Sequence, residues 1–509
     1  MRTYVKNKIL TLDEIIDKAK ALKKEGKVVV QSHGVFDLIH PGIIKHLNHA
    51  KKLGDVLIVS VIKDKDVHRG PGRPIFPEAF RAENVASLEQ VDYVCLVDNE
   101  MPFECIKMIQ PDIFAKGQAA HEKDRKIHER LFKEEKEFYS DKCRIIETEG
   151  FSLSSSHIIN NFLDIYPEET KKFLSDFKKK YSFSDIADRI NALKDLKVMV
   201  IGDGIIDEYH YCEPLGKSSK ANLVVNKYLS HEVFAGGTFA VANHIAGLCD
   251  NINLVSLLGR EDSREEFIAK NLKPNVKTKF FYRDDGPSVI KKRYIHEYLN
   301  QKLFEVCYMN DDFISGELER DIIDYLVSEV PQYDMIMVSN FGHGFITDNI
   351  IEAIKTHAKK IAVNAQTNAA NVGYNLITRY DDPDYVCLDE SELRLSAQEK
   401  HADIEQVAKK IANDIKADCL IVTLGKKGSF GVNHNSFNRT PIFSHKVVDT
   451  VGAGDAFFAY TAPCYAKRVP LDMLSFIGNA VGAIAVQIVC NKKSVEKFEL
   501  LEFINTILK

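Results

Sequence analysis

The sequence lacks several patterns that mark membrane, nucleic-acid-binding or metal-clustered proteins. Its 509 residues contain no apolar run of the roughly 18 residues that a membrane span needs, and residues 1–8 show no leader-like apolar core. The formal net charge is −5 without a basic tail, so nucleic acid is not an expected partner. Ten cysteines are scattered without Cys-x-x-Cys spacing or a Cys/His cluster. They predict buried thiols and a cytoplasmic protein.

Short apolar runs alternate with helical patterns along the chain, which is typical of parallel α/β folds. Strands are predicted at residues 27–32 and 55–61, with about one helix length between them, which indicates a βαβ unit. The stretch that follows residue 165 is amphipathic and free of strand patterns, rich in Lys and Asp. A chain of this length exceeds one core. Three segments are therefore predicted: a domain over 1–165, a helical linker over 166–196 and a domain over 197–509.

The segment Asp449-Thr-Val-Gly-Ala-Gly-Asp455 is followed by an apolar helical run. A glycine turn at a helix start exposes backbone N–H groups and the positive end of the helix dipole, which suits the charge of a transferring phosphoryl group. Asp455 could accept the proton of an attacking hydroxyl there, or it could serve only as a helix cap. The predicted catalytic residues of this centre are Gly452, Ala453, Gly454 and Asp455.

Other segments surround this centre in a fixed order along the chain. They are Ile201-Gly-Asp203 with Asp207, Phe234-Ala-Gly-Gly-Thr-Phe-Ala-Val-Ala-Asn243 and Val422-Thr-Leu-Gly-Lys-Lys-Gly428. With the catalytic segment, they resemble the ribokinase-like (PfkB) carbohydrate kinases over residues 197–509. The resemblance implies an α/β domain with a small β lid, ATP and Mg²⁺ as cofactors, a sugar substrate and a homodimer formed through the lid.

The same resemblance implies binding residues, and the chemistry of these groups agrees with the roles. The sugar-binding residues that it implies are Asp203, Asp207, Gly236, Gly237 and Asn243. The nucleotide-side residues that it implies are Thr423, Gly425, Gly428 and Asn479. Lys291 and Arg293 are candidates for binding a phosphate already on the substrate; the alternative is an ordinary solvated basic strand end.

Three segments depart from the pattern of the nearest relatives in that family. Ser339-Asn-Phe-Gly-His-Gly344 replaces Ser-Asp-Tyr-Gly-Lys-Gly, Asn364-Ala-Gln366 replaces Asp-Pro-Lys, and Asp389-Glu-Ser-Glu392 replaces Asn-x-x-Glu. Two acidic groups and two lysines near the phosphates are thus exchanged, and Glu392 is the predicted metal ligand. An active kinase is still expected, since the glycine turn and Asp455 are present.

After the first predicted strand comes His33-Gly-Val-Phe-Asp-Leu-Ile-His-Pro-Gly-Ile43. It resembles the Gly-x-Phe-Asp-x-x-His-x-Gly-His signature of the cytidylyltransferase-like nucleotidyltransferases, and the resemblance extends from about residue 27 to 163. It implies a Rossmann-like domain that uses ATP or CTP, with His40 as a catalytic residue. The nucleotide-binding residues that it implies are Gly34, Phe36, Asp37, Gly42, Lys116, Ser154, Ser155 and Ser156.

Ile43 occupies the place of the second histidine in that signature, and isoleucine can donate no hydrogen bond to a phosphate. His46 cannot easily replace it, because it lies about 240° around a helix from His40. His33 and His157 are substitutes by position only.

The pairing of these two domains resembles the bifunctional ADP-heptose synthases of lipopolysaccharide biosynthesis, with the domain order reversed. The leading prediction is a sugar kinase and sugar-1-phosphate nucleotidyltransferase that makes a nucleotide-activated, heptose-like sugar for surface polysaccharide. The alternative is a kinase whose N-terminal domain has lost its chemistry and serves nucleotide binding or assembly. A non-catalytic scaffold is disfavoured by the intact glycine turn and Asp455. The identity of the sugar and the choice between ATP and CTP stay open.

Overall fold

The computed structural model describes residues 3–67, 72–98, 102–117, 143–148, 158–160, 165–434 and 436–509. The chain divides into two compact units, residues 1–187 with 501–509 and residues 188–500. The division therefore falls inside the segment predicted as a linker, and the last nine residues group with the first unit.

The first unit contains a five-stranded parallel sheet. Its strands are β1 (Val29–Gly34), β2 (Val56–Ile62), β3 (Tyr93–Val97), β4 (Ile113–Gly117) and β5 (Arg144–Thr148). Their spatial order is β3-β2-β1-β4-β5, so the chain changes direction across the sheet between β1 and β4. Open α/β sheets bind ligands beyond the carboxyl ends of the strands at such a switch point. The predicted Rossmann-like βαβ arrangement is confirmed.

Helices cover both faces of this sheet, as a buried parallel sheet requires. Those that contribute to its core clusters are α1 (Thr3–Lys6), α2 (Leu12–Lys24), α3 (Pro41–Lys52), α4 (Glu78–Ala86) and α5 (Pro102–Ile109). Two more helices follow along the chain, α6 (Glu168–Lys180) and α7 (Phe183–Asn191), and the division between the units falls within α7. Neighbouring residues of one strand enter separate cores, because strand side chains alternate between faces: Val30 packs in one cluster and Val29 in another.

The second unit contains a nine-stranded sheet. Its strands are β6 (Lys197–Gly202), β9 (Asn251–Glu261), β10 (Val276–Pro287), β13 (Met335–Asn340), β14 (Ile361–Ala365), β15 (Tyr385–Asp389), β16 (Cys419–Thr423), β17 (Ser429–Asn433) and β18 (Phe437–Thr440). The spatial order is β10-β9-β6-β13-β14-β15-β16-β17-β18. Neighbouring strands from β10 through β16 in this spatial order are parallel, whereas β17 is antiparallel to β16 and β18 is antiparallel to β17.

A separate four-stranded sheet forms the predicted small β lid of this unit. It consists of β7 (Gly204–Lys217), β8 (Val224–Gly237), β11 (Val289–His296) and β12 (Gln301–Tyr308) in the order β12-β11-β7-β8. The chain enters the lid one residue after β6 and leaves it directly into a helix. Residues at the base of β7 and β8 are therefore held next to the carboxyl end of β6, where Gly204 pairs with Gly237.

Helices alternate with the strands along the second unit. They are α8 (Thr238–Ala246), α9 (Glu265–Asn271), α10 (Gly316–Glu329), α11 (Asp348–His357), α12 (Glu390–Ala397), α13 (Ile404–Asp414), α14 (Ala453–Ala466), α15 (Leu471–Ala485) and α16 (Lys497–Ile507), the last of which runs into residues grouped with the first unit. Helices α14 and α15 are buried along almost their whole length. Within the described ranges, no helix is long and apolar enough to span a membrane.

Candidate active site

A cavity of about 310 Å³ lies in the second unit, where the carboxyl ends of β14, β15 and β16 meet the start of α14. The lid sheet contributes Asp207, Lys291 and Arg293 to its wall. The opposite wall is formed by the turn before α14 together with Asp455. Groups predicted from separate sequence segments thus converge on one space because parallel strands end on the same edge of a sheet.

The glycine turn before α14 has the geometry that the sequence predicts. Gly452 caps the helix with a φ of 83°, and a Cβ there would lie 2.2 Å from Asn491 Oδ1, so no other residue fits. Gly452 and Gly454 line the cavity, whereas Ala453, the first residue of the helix, is not part of its wall. Ala453 N–H donates to Thr450 O at 3.3 Å, and the N-terminus of the helix presents the positive end of its dipole to the cavity.

Asp455 is buried in the first turn of α14, with 6% of its surface exposed. Burial raises the pKa of its carboxyl to about 7, and the charge of Asp207 acts in the same direction. Gln366 opposes this shift by donating a hydrogen bond from Nε2 to Oδ1 at 2.6 Å, and the Lys291 charge also lowers the pKa. A carboxylate with a pKa near neutrality is suited to general base catalysis.

Asp207, Lys291 and Arg293 form a charged group on the cavity face of the lid. Lys291 lies opposite Asp207 in the parallel pairing of β11 with β7. Arg293 binds the Asp207 carboxylate and also pairs with Glu305 at 2.6 Å. Lys291 is buried and Arg293 is mostly covered, so the alternative of a solvated strand end does not describe them.

The two glycines at the end of β8 allow the chain to pass close to these charges. A Cβ on Gly236 would lie 2.0 Å from Asp207 Oδ2, and one on Gly237, whose φ is 55°, would lie 2.7 Å from Asp203 O. Gly237 lines the cavity. Both positions therefore require glycine for steric reasons.

Asp203 does not line the cavity, and its direct contact to the sugar stays a prediction. Its carboxylate accepts hydrogen bonds from the backbone N–H groups of Phe341, at 2.8 Å, and His343, at 3.4 Å. Burial raises its pKa to about 6. Asp203 thus fixes the loop after β13, whose Phe341 does line the cavity.

Asn243 does not line the cavity either, and its sugar contact also stays a prediction. Its side-chain oxygen accepts from Lys273 N–H at 3.0 Å, and its Nδ2 donates to Asn271 O at 2.8 Å. The physical reason is helical geometry: Asn243 is six residues beyond Gly237, and at 100° per residue it lies about 240° around α8 from the cavity end. It connects α8 to the end of α9 instead.

On the nucleotide side, Thr423 lines the cavity, but the other predicted residues shape its surroundings. Gly425 and Gly428 have φ values of 54° and 87° in the turn between β16 and β17, and a Cβ on Gly428 would lie 2.0 Å from Thr440 O. Asn479 donates to Ser429 Oγ at 2.5 Å, which holds α15 against β17.

Glu392, the predicted metal ligand, lines the cavity together with Asp389. The pair forms a capping box on α12, and the Glu392 carboxylate accepts from the N–H groups of Asp389, at 2.9 Å, and Thr367, at 3.2 Å. Burial and the Asp389 charge raise the pKa of Glu392 to about 8. In the described ranges no cluster of three or more metal-binding side chains occurs. Two carboxylates fit Mg²⁺, which is usually held by one or two carboxylates plus substrate phosphates.

Several contacts at this site were not predicted from the sequence. Asp449 accepts hydrogen bonds from Lys302 Nζ at 2.8 Å, Tyr209 OH at 2.7 Å, Val451 N at 3.1 Å and Cys490 N at 3.0 Å. Lys302 and Tyr209 belong to the lid, so the lid is hydrogen-bonded directly to Asp449, the first residue of the segment that contains the glycine turn. No local sequence signal indicates the two lid partners, because Lys302 and Tyr209 are far from Asp449 along the chain.

In the first unit, His40 is the N-cap of α3 and lies beyond the carboxyl end of β1, at the switch point of the sheet. Its Nδ1 accepts a hydrogen bond from Gly42 N–H at 3.2 Å, so the neutral ring carries its proton on Nε2. Burial lowers the pKa of His40. The ring can therefore donate a hydrogen bond while it caps the helix.

Other residues of the same motif are used inside the fold. Asp37 is buried, and its carboxylate accepts from Ile75 N–H and Phe76 N–H at 2.8 to 2.9 Å. Phe36 has a φ of 51° and its ring packs over Gly34. Ile43 packs against the core of the sheet. Asp37 and Phe36, which are predicted to bind nucleotide, thus make contacts inside the fold.

The histidines considered as replacements for Ile43 lie elsewhere. His46 bridges β1 and β5, with Nε2 2.7 Å from Ser32 Oγ and Nδ1 2.5 Å from Thr148 Oγ1, and burial lowers its pKa to about 4. His33 Nδ1 lies 3.1 Å from Ser60 Oγ on the β2 side.

Lys116 is at the carboxyl end of β4, beside the switch point. The predicted residues Ser154, Ser155, Ser156 and His157 lie outside the described residues.

Comparison with known protein families bears on both units. Residues 195–491 match the model of the pfkB family carbohydrate kinases, which covers more than half of the chain. The chain belongs to the pfkB carbohydrate kinase family. Residues 32–162 of this kinase-family protein match the cytidylyltransferase-like model, in agreement with the parallel sheet of the first unit.

Curated relatives of this pfkB-family protein include the bifunctional protein HldE of Nitratiruptor sp., 48% identical over 111 residues, which are 21% of this chain and 24% of the relative. The bifunctional protein HldE of Trichlorobacter lovleyi is 22% identical over 295 residues, 57% of this chain and 59% of the relative. These matches thus span between a quarter and three-fifths of the relatives' length. Phosphofructokinase-2 from Escherichia coli, solved in complex with potassium, shares the fold: the TM-score is 0.51 at 15% identity, covering 62% of this chain and 100% of that chain.

Proposed function

We propose that this protein is a bifunctional enzyme that phosphorylates a sugar phosphate with ATP and then activates a sugar 1-phosphate as a nucleotide sugar. The observation that carries the kinase half is the convergence of Asp455, the N-terminus of α14 and the basic pair Lys291 and Arg293 on one cavity. A base, an anion site and a second site for negative charge are what phosphoryl transfer to a phosphorylated sugar requires.

In the proposed kinase reaction, a sugar hydroxyl lies beside Asp455. Its proton passes to the carboxylate as its oxygen attacks the γ-phosphorus of ATP, and the bond from that phosphorus to the bridging oxygen of ADP breaks. The N–H groups at the start of α14 stabilise the charge that develops on the phosphoryl oxygens. Mg²⁺, held by Asp389 and Glu392, would neutralise charge on the nucleotide phosphates.

The basic residues of the lid set the proposed substrate class. Lys291 is buried and lines the cavity. Burial of a charge is costly unless an opposite charge is bound. Asp207 already pairs with Arg293, which leaves Lys291 as the cation best placed for a substrate phosphate. The resemblance of the paired domains to the bifunctional ADP-heptose synthases supports a heptose phosphate as the sugar.

The nucleotidyltransferase half rests on the position of His40. It stands at the start of α3 at the switch point of a parallel sheet, with Nε2 available as a donor to a triphosphate. The bifunctional relatives support this activity. One observation favours the alternative of a nucleotide-binding domain without chemistry: Ile43 packs into the core where the family signature has a histidine.

A homodimer formed through the lid is part of the proposal. The strand β12 is exposed along its length, and its Phe304 and Tyr308 have 50% and 47% of their surfaces exposed. Exposed aromatic side chains of this size favour an interface between subunits. A cytoplasmic location is proposed from the use of ATP and sugar phosphates.

Two product measurements on the full chain test the proposal. ADP release is measured with heptose and hexose phosphates and with the corresponding free sugars. Pyrophosphate release is measured with a sugar 1-phosphate and either ATP or CTP. ADP and pyrophosphate are both expected. Absence of pyrophosphate with every sugar 1-phosphate, while ADP forms, supports the alternative; absence of ADP with every sugar refutes the kinase.

A further inference from the structure

The loop after β14 holds two amide side chains that reach from the sheet to the catalytic carboxylate. Asn364 is buried, and its Nδ2 donates to Cys387 O at 2.8 Å, which fixes the direction of its amide. Its Oδ1 then accepts a hydrogen bond from Gln366 Nε2 at 2.8 Å. The second hydrogen on the same nitrogen is donated to Asp455 Oδ1 at 2.6 Å.

The backbone of Gln366 is also fixed on both sides. Its N–H donates to Asn340 O at 2.8 Å, and its carbonyl accepts from Asn375 Nδ2 at 2.9 Å. Both hydrogens of the Gln366 amide have acceptors, so the orientation of the amide is determined. A flexible surface glutamine would show neither feature.

These bonds restrict Asp455 to one working orientation. Its Oδ1 is occupied by Gln366, and within the described part of the chain no hydrogen bond reaches Oδ2, while Asp455 lines the cavity. A neutral amide stabilises the carboxylate less than a cation in the same place, so it supports the ionised base without making it a weak proton acceptor.

We propose that Gln366 is a positioning residue for the catalytic base: its amide fixes Oδ1 of Asp455, leaves Oδ2 for the attacking hydroxyl and sets the pH range in which the base works. This inference rests on the proposed kinase function. It gives a role to the replacement of Asp-Pro-Lys by Asn364-Ala-Gln366, in which a lysine gives way to a neutral donor.

The test compares Gln366→Leu with Gln366→Lys by measuring kcat for ADP release as a function of pH. Loss of the hydrogen bond in Gln366→Leu should move the acidic limb of the profile upward by about one pH unit, with a roughly tenfold loss of kcat at pH 6. The cation in Gln366→Lys should move the limb downward. The KM for ATP should change little in either variant. Limbs that stay in place, or move in the same direction, overturn the proposal.

Gln487→Leu is the matched control, since Gln487 follows α15, donates from Nε2 to Ala483 O of that helix and does not line the cavity. Its pH profile should be that of the unchanged protein. If Gln366→Leu does not fold, as judged by thermal melting, the Lys variant alone decides by the direction of its shift.

Failure of the proposed kinase function can be told apart from failure of this inference. If the unchanged protein releases no ADP with any sugar, the kinase proposal fails, and the titration of the Asp455 carboxyl is followed directly instead. Aspartate labelled with ¹³C, assigned by Asp455→Asn, provides the NMR signal. An upward shift of its titration midpoint in Gln366→Leu supports the hydrogen-bond role, and an unchanged midpoint refutes it.

Discussion

Both units place the start of a helix beside the carboxyl ends of parallel strands, but they surround it with different chemistry. In the second unit, Asp455 faces a cavity with one carboxylate oxygen held by Gln366, and burial raises its pKa to about 7. In the first unit, the Asp37 carboxylate is occupied by backbone N–H groups, and Ile43 joins the core. Motif residues thus divide into those that shape a loop and those that remain available to a ligand.

Two buried basic residues, Arg81 in the first unit and Lys291 in the second, show the same difference. Arg81 is fully buried in the first unit and donates hydrogen bonds to Val35 O, Ile62 O and Asp64 Oδ1, which connects the loops after β1 and β2. Lys291 is also buried but stands in a cavity wall. Burial alone therefore does not identify a functional charge; the difference is whether its partners come from the protein.

The largest expected effect is on the kinase site. Asp455→Asn removes the base but keeps the shape and the contact to Gln366, so ADP release should fall by roughly 10²- to 10⁴-fold. Pyrophosphate release from the first unit should be unchanged. The control is Asp348→Asn, an exposed acid in the first turn of α11, which should leave both activities intact. Retention of ADP release by Asp455→Asn would refute the assignment of the base.

The reciprocal change affects the other site. His40→Ala removes the donor at the start of α3, and pyrophosphate release should fall about 10²-fold while ADP release is unchanged. His49→Ala, nine residues and about two and a half turns further along, provides the matched control. Equal pyrophosphate release by His40→Ala and the unchanged protein would mean that the first unit does not catalyse transfer through this residue.

A smaller effect is expected at the proposed phosphate site of the lid. Lys291→Met removes a charged hydrogen-bond donor, so kcat/KM for a phosphorylated sugar should fall by about 10- to 100-fold. The same constant for the free sugar should change much less. Lys292→Met is the control, since Lys292 points to the other face of β11 and pairs with Glu208. Equal losses for both sugars would show that Lys291 does not recognise the phosphate.

The stability of the second unit should depend on pH through the carboxyl group of Asp455. The pKa of Asp455 is about 7 in the fold and near 4 in the unfolded chain, so the folded state binds the proton more tightly. Its contribution to stability therefore decreases as pH rises from about 4 to 7. Asp455→Asn removes this loss, and differential scanning calorimetry should find its melting temperature a few degrees higher at pH 8 and closer to the unchanged protein at pH 5. No gain at pH 8 would contradict the raised pKa.

The smallest effect is expected where the two sites differ most. Ile43→His restores the second histidine of the signature and should raise pyrophosphate release by less than tenfold. Loss of an apolar side chain from the edge of the core should also lower the melting temperature by a few degrees. Ile44→His, at the exposed neighbouring position, is the control for the new charge. No gain over this control would show that Ile43 does not limit the reaction.

Much of the architecture could be predicted from the sequence because it depends on local patterns. Apolar runs predicted β1 and β2 to within two residues, and the glycine turn at Gly452 predicted the start of α14. The distance of Asn243 from the cavity could not be predicted, because a motif gives spacing along the chain but not the direction of each side chain around the helix. The difference arises from rotation, which the sequence specifies only once the helix start is known.

The contacts that hold the catalytic groups could not be predicted, since they join distant segments. Gln366 and Asp455 are 89 residues apart, and Lys302 and Asp449 are 147 apart. Gln366 was noticed only as a departure from a family pattern. Tertiary pairing of this kind depends on the register of β14 and β15 and on the loop lengths that follow them, for which the local sequence carries no signal.

The Lys302–Asp449 pair has a consequence for how a substrate enters. The lid strand β11, which carries Lys291 and Arg293, lies between β7 and β12, and these two strands contact Asp449 through Tyr209 and Lys302. Any outward movement of the lid must separate opposite charges, and any inward movement must bring them together again. If the lid moves to admit a substrate, that movement is therefore linked through Asp449 to the position of the glycine turn at Gly452.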